Sequence, residues 1–265
     1  MKIAVAQFAP TADKTANLEQ ISGLAEQSAR AGARMVVFPE GAMHTFGELT
    51  DDLSPVAEPL DGPFVAHLSK LASRLDLVLV AGMFEAIPGD HRIHNTAVVV
   101  DRRKGVVAAH RKHHLYDAFG ERESDRFRAG TEDVPLIDVD GFTTAVVVCY
   151  ELRFPAFIQN AADRGAEVLV VPAAWVAGPL KEEHWTLMVR ARAIENTMYV
   201  AGAGMIGPGY CGKSVIVDPM GVVVASLGEA DGVAVGDISN ERLSKVRARL
   251  PLVEQRRAAA KALVR

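Results

Sequence analysis

Two stretches of this chain carry the same pattern of apolar and polar positions. GARMVVFPE, starting at Gly32, and GAEVLVVPA, starting at Gly165, agree almost position for position: a glycine turn, a short β-branched run and a proline near its end. Each follows a segment with helical character, Thr15 to Ala31 (apolar at Leu18, Ile21, Leu24, Ala25 and Ala29) and Pro155 to Arg164. Each helix in turn follows an apolar run, Ile3 to Phe8 and FTTAVVVC from Phe142. A strand-helix-strand unit is therefore written twice.

Between the units, the pattern predicts a helix over Pro63 to Leu75 and strands over Leu77 to Phe84, Asn95 to Asp101 and Val106 to His110, with Arg102 to Gly105 as a hairpin turn. After the second unit it predicts a helix over Leu180 to Thr197. Strands follow over Tyr199 to Ala203, Ser214 to Val217, Val222 to Leu227 and Val233 to Ile238, then a helix over Asn240 to Leu250 and a basic tail. No Ser/Gly-rich linker or composition break interrupts the chain, so one domain over 1–265 is expected. Its fold class is α/β: a four-layer α-β-β-α sandwich of two pseudo-symmetric halves, with two sheets face to face and helices outside.

A chain of 265 residues can bury an extensive core. With 49 % apolar residues, 23 % charged residues and a net charge of −4, and no basic block interleaved with aromatics, nothing draws it to nucleic acid or a membrane surface. The opening MKIAVAQFAP has too short an apolar run for a secretion signal or a spanning helix. Two cysteines are too few for a disulfide framework and fit a reducing compartment; the reading is a cytoplasmic protein.

The chemistry centres on VVVCYELRFP, from Val146 to Pro155. Its β-branched run is broken by a charged turn, which places Cys149 at the end of a buried strand, where α/β sheets present reactive groups. Taken alone, a cysteine there is more often a small buried hydrophobe. Glu40 stands just past the second strand and Lys112 lies in the polar stretch RKHHLYDAFGERESDRFRAG; singly, each reads as a solvated surface charge. His110, His113 and His114 cluster, but no second ligand group with zinc-like spacing accompanies them, so neither metal nor cofactor is expected. Cys211 in PGYCGK has no evident base, and the GxxxxGK[ST] phosphate loop is absent.

Taken in order, FPE around Glu40, HRKHHLYD around Lys112 and CYELRFP around Cys149 resemble the carbon-nitrogen hydrolase family, the nitrilase superfamily. The likeness continues through HWTLMVRARAIENTMYVAGAG and GKSVIVDPMGVVVASLGE to RLPLVEQRR, essentially the whole chain. It implies a Glu40, Lys112, Cys149 triad and a thioester on Cys149. A thiol of pKa ~8.5 needs a base to take its proton, and Glu40 is the candidate. Lys112 and the Tyr150 N–H are candidates to hold the developing oxyanion. Many members have a further glutamate in the loop between lysine and cysteine; Glu123 fits its placement and Glu121 stays open.

CYELRFP, followed by Ala173, Ala174 and Trp175 of the PAAW segment and by HWTLMVRARAIEN, looks most like the ω-amidase and deaminated glutathione amidase branch, and the resemblance puts Tyr150, Arg153, Ala173, Ala174 and Trp175 at the substrate or its oxyanion. Such enzymes release ammonia or an amine from small linear amides that carry carboxylates. Arg153, His184 and Lys181 remain alternatives for holding a substrate carboxylate, with Arg153 favoured as the ion-pair partner of a loop carboxylate. Ala156 departs from the acidic residue common after RFP. N-carbamoyl amino acid amidohydrolase, nitrilase and a catalytically silent interaction module are the competing readings. The resemblance also implies a homodimer or larger homo-oligomer.

Overall fold

The computed structural model describes residues 1–263. Strand β1 (Lys2–Gln7) shows how alternation builds the layers. Ile3 and Val5 join the cluster between the sheets, while Ala4 and Ala6 join the one beneath the outer helices. Helix α1 (Lys14–Arg30) starts at Asp13, whose side chain accepts from the Thr15 and Ala16 N–H groups. It turns its Ile21 and Ala25 inward with Phe64, Val65 and Leu68 of α2 (Pro63–Leu75).

The first sheet comprises β1, β2 (Met35–Val37), β3 (Val78–Ala86), β4 (Ile93–Asp101) and β5 (Gly105–Arg111), with β12 (Gly232–Asp237) returning from the far end of the chain to pair with β1. The second comprises β6 (Leu136–Val139), β7 (Phe142–Val146), β8 (Val168–Ala173), β9 (Tyr199–Gly204), β10 (Val215–Val217) and β11 (Val223–Ser226). Their orders, β12-β1-β2-β3-β4-β5 and β6-β7-β8-β9-β10-β11, have the same sequence of pairings: antiparallel, parallel, parallel, antiparallel, antiparallel. The repeat seen in the sequence is thus a repeat of whole sheets, in which β2 corresponds to β8.

Val37, Val80 and Val99 of the first sheet share one buried cluster with Val146, Val170 and Ala201 of the second. The outer face of the second sheet is covered by α3 (Pro155–Asp163) and α4 (Lys181–Asn196), the latter burying Trp185 and Val189. These layers are the expected α-β-β-α sandwich. Helix α5 (Asn240–Arg249) is capped by Ser239, and α6 (Leu252–Leu263) is tied to the end of α3 by the Arg256–Asp163 ion pair.

Three details differ from the sequence reading. β6 is an edge strand whose LIDV is too short and too exposed for its pattern to stand out. α6 lies in what reads only as a basic tail. The FTTAVVVC run does not stay in the sheet to its end, because β7 stops at Val146 and the chain then turns. Among the described residues, no helix is long and apolar enough to cross a membrane.

Candidate active site

Three strand ends bring the chemistry together. Glu40 lies just past β2, Lys112 directly follows β5, and Cys149 opens a 3-10 turn, Cys149–Arg153, three residues past the end of β7. Gly82 of β3 lets the Glu40 segment pass: a β-carbon there would stand 2.7 Å from the Glu40 Cα. All three side chains are withdrawn from solvent, with Glu40 and Lys112 each 2 % exposed and Cys149 7 %.

Lys112 Nζ lies 2.8 Å from Glu40 Oε1 and 2.9 Å from Glu123 Oε2. One buried ammonium between two carboxylates leaves negative charge in excess, which a dry site tolerates only with further donors. They are present. The Ala174 N–H donates to Glu40 Oε2 at 2.7 Å and the Tyr116 N–H to Glu123 Oε2 at 2.6 Å. Asn95 Nδ2 donates to both glutamates, at 2.8 Å each. Burial by itself would lower the Lys112 pKa, but Glu123 and Glu40 hold it well above its usual value, so the ammonium is permanent.

The Cys149 thiol is pushed well above its ordinary value, first by burial and then by the charge of Glu40, against which Lys112 acts only in part. At rest the sulfur keeps its proton. Cys149 also adopts a left-handed backbone conformation, φ 44°, which costs a side chain with a Cβ. That bend breaks the run of the strand, and no acceptor among the described residues meets the Tyr150 N–H that follows.

Cys149, Glu40 and Lys112 form the floor of a cavity of about 360 Å³. Tyr116, Tyr150, Trp175 and Tyr210 line its walls, Glu121 and Glu48 are also on its lining, and so are four cations besides Lys112: Arg122, which pairs with Asp125, Arg126, which donates to the Phe46 and Glu48 carbonyls, Arg153 and Lys181. Arg153 lies with its guanidinium 4.5 Å from the centroid of the Trp175 ring. Lys181 Nζ donates to the Tyr116 hydroxyl at 2.6 Å and sits 3.8 Å from the Phe119 ring centroid. Burial, then Glu40 and Cys149, push the Tyr210 phenol up to about 12, so it stays protonated.

Of the residues read from the sequence, Glu40, Lys112, Glu123, Cys149, Tyr150, Arg153, Ala174 and Trp175 converge here. Glu123 touches Lys112, whereas Glu121 lines the cavity without bonding it. Three expectations need correction. Ala173 does not line the cavity; it ends β8, where its carbonyl accepts the Met205 N–H at 2.8 Å. Arg153 makes no ion pair among the described residues, because it stacks on an aromatic ring instead of meeting a loop carboxylate. His184 does not reach the lining, whereas Arg153 and Lys181, the other two candidates, do. Cys211 lies outside the lining too, its thiol raised to about 12 by burial.

Asn95, Tyr116 and Tyr210 were missed. The only sequence signal for Asn95 is a polar residue at the head of an otherwise Val-rich strand. His110 does not stand with a metal-binding group: it pairs with Glu151 at 2.8 Å, while His114 stacks on Phe154 at 3.7 Å between centroids. Among the described residues, no three His, Cys, Asp or Glu side chains are grouped to hold a metal ion.

Residues 2–248 match the carbon-nitrogen hydrolase family, and the chain belongs to it. It is therefore a hydrolase of carbon–nitrogen bonds, of the amidase kind, and the silent-module reading is set aside. The chain is 37 % identical over 260 residues to the deaminated glutathione amidase of Escherichia coli O157:H7, covering 98 % of each chain. A solved Saccharomyces cerevisiae member of the nitrilase superfamily is similar at TM-score 0.86 and 27 % identity, over 97 % of this chain and 96 % of that one. A mutant of the amidase from Nesterenkonia sp. AN1, solved after Michael addition of acrylamide at its active-site cysteine, is similar at TM-score 0.81 and 27 % identity, over 94 % of this chain and 98 % of that one.

Proposed function

We propose that this enzyme hydrolyses the terminal amide of a small linear, carboxylate-bearing substrate, an ω-amide of a dicarboxylic acid or deaminated glutathione, through a thioester on Cys149. The observation that carries the reading is the buried thiol beside Glu40 and Lys112, on the floor of a cavity that presents Arg153 and Lys181.

The charge states define the steps. Because the resting sulfur is protonated, Glu40 takes its proton as Sγ attacks the amide carbon. The carbonyl oxygen gains a full negative charge, held by Lys112 and the Tyr150 N–H; losing one such donor costs about 3 kcal/mol. Collapse of the tetrahedral species breaks the C–N bond, and protonated Glu40 returns the proton to the leaving nitrogen. Ammonia or an amine departs and leaves the acyl group on sulfur. Glu40 then deprotonates a water that attacks the thioester; the acid is released and the sulfur regains a proton. Glu123, held by Asn95 and Tyr116, keeps Lys112 in place throughout.

Substrate class follows from the walls. Arg153 and Lys181, neither with a carboxylate partner among the described residues and each beside an aromatic face, suit an anionic substrate with a short aliphatic body. Ammonia release from α-ketoglutaramate, succinamate, deaminated glutathione, N-carbamoyl-β-alanine and a simple nitrile, run beside Cys149→Ala, tests this. Turnover of the first three that vanishes in the variant is expected; turnover confined to the carbamoyl compound or the nitrile overturns it.

The same reading makes the protein a single carbon-nitrogen hydrolase domain and a homodimer in the cytoplasm. Exposed Leu187 and Ile194 of α4, with Met220 and Val222 of the adjacent turn, offer an apolar surface that a second copy would cover. Both cysteines are unpaired, in keeping with a reducing compartment.

A further inference from the structure

Glu151 touches no part of the cavity and is completely buried, yet it accepts three hydrogen bonds from the two segments that carry the reactive groups. Its Oε2 accepts the Val148 N–H at 2.6 Å and pairs with His110 Nε2 at 2.8 Å. Its Oε1 accepts the His113 N–H at 2.7 Å. Val148 immediately precedes Cys149; His110 and His113 bracket Lys112. One carboxylate thus fastens the chain on both sides of the lysine to the chain that presents the sulfur. Its own N–H donates back to the Val148 carbonyl at 3.0 Å, closing the turn in which Cys149 holds its left-handed φ of 44°.

We propose that Glu151 is a positioning residue that sets the distance and orientation of the Cys149 sulfur relative to the Lys112 ammonium. This rests on the roles given above to Cys149 and Lys112. Three properties fit the task. The strained Cys149 backbone persists only where its surroundings over-determine it, and Glu151 supplies two of the bonds around it. Hydrogen bonds to an ionised carboxylate are shorter and stronger than neutral ones, which suits a group that must resist displacement. The two segments are remote in sequence and belong to different sheets, so they need a direct tie to stay in register.

Replacement by glutamine keeps the shape but puts an NH₂ where an acceptor is needed, so at least one of the Val148, His113 and His110 donors loses its partner. A shift of about 1 Å between reacting groups lowers the rate by about 10²-fold. Purified Glu151→Gln, Glu151→Asp and His110→Phe should be compared with the parent for kcat and KM on a substrate amide. Native-state alkylation of Cys149 by iodoacetamide should be followed by peptide mapping, with Cys211 as internal control. Expected for Glu151→Gln is a kcat and a Cys149 alkylation rate each lower by about 10²-fold, with KM within about threefold of the parent. Glu151→Asp, which keeps the charge, should recover about tenfold of each, and His110→Phe should lose about tenfold. A folded Glu151→Gln that alkylates Cys149 at the parental rate, or loses activity through KM alone, overturns the proposal. If Glu151→Gln does not fold, His110→Phe at parental rates overturns it. If the parent turns over none of the amides offered, the alkylation rates alone decide, and that failure counts against the proposed function instead.

Discussion

Asn95 Nδ2 donates to Glu40 Oε1 at 2.8 Å, and the same nitrogen reaches Glu123 Oε1 at 2.8 Å. A neutral carboxamide thus separates two buried carboxylates that share one ammonium. Asn95→Ala removes the spacer and leaves the like charges opposed across Lys112. It should lower kcat by about 10- to 10²-fold with little change in KM. Steady-state kinetics beside a urea titration checks this, with a stability loss of about 1–3 kcal/mol expected from the unpaired groups.

Lys112→Met should cost far more in stability than a surface lysine does. It strands Glu40 and Glu123 as buried charges without a counter-ion, a loss of about 3–5 kcal/mol. Chemical denaturation of the variant reads this directly. A loss under about 1 kcal/mol, the range of an exposed pair, would contradict the burial argument.

Activity should be nearly flat from about pH 7 to about pH 9, where an unassisted thiol would gain about tenfold per unit. Both relevant groups are raised: Cys149 by burial and Glu40, and Lys112 by Glu123 and Glu40 against its burial. Neither loses its proton in that window. The kcat measured across it should show no steep rise, because Glu40 takes the thiol proton in the attack itself, whereas Glu40→Gln should be slower throughout and should climb with pH as the free thiolate fraction grows.

Glu151 gives an acid limb to stability. Burial raises its pKa, but the His110 charge and the hydrogen bonds from His110, Val148 and His113 bring it below the ordinary 4.5. A carboxylate depressed in the fold stabilises it above the unfolded value and loses that contribution as pH falls through the folded one. Urea midpoints at about pH 6 and about pH 4 should therefore converge between parent and Glu151→Gln as acid is added.

Arg153 and Lys181 separate substrate choice from chemistry. Lys181→Met should raise KM for succinamate about tenfold and leave a neutral amide of equal length within about threefold. The double variant with Arg153→Leu should extend the loss for the carboxylated substrate alone. Equal losses on both amides would show that these cations shape the pocket and do not read charge.

What the sequence revealed and what it hid divide by range. GARMVVFPE and GAEVLVVPA disclose β2 and β8 because a glycine turn and a β-branched run are local signals, and Glu40 and Cys149 stand out because each closely follows such a run. Asn95 and Glu151 act through partners 28 to 55 and 3 to 41 residues away, and nothing local marks a residue whose importance lies in where other segments pass. Arg153 was misread for the same reason: its company is the Trp175 ring, brought in from another strand end.

The matching order of the two sheets has a consequence for when the enzyme can be active. Glu40 and Lys112 come from the first sheet, Cys149 and the Ala174 N–H from the second, so neither half owns a complete site. Catalysis becomes a gauge of how well the halves are docked. Mild heat or denaturant that slides one sheet over the other should silence the enzyme while each sheet still keeps its strands.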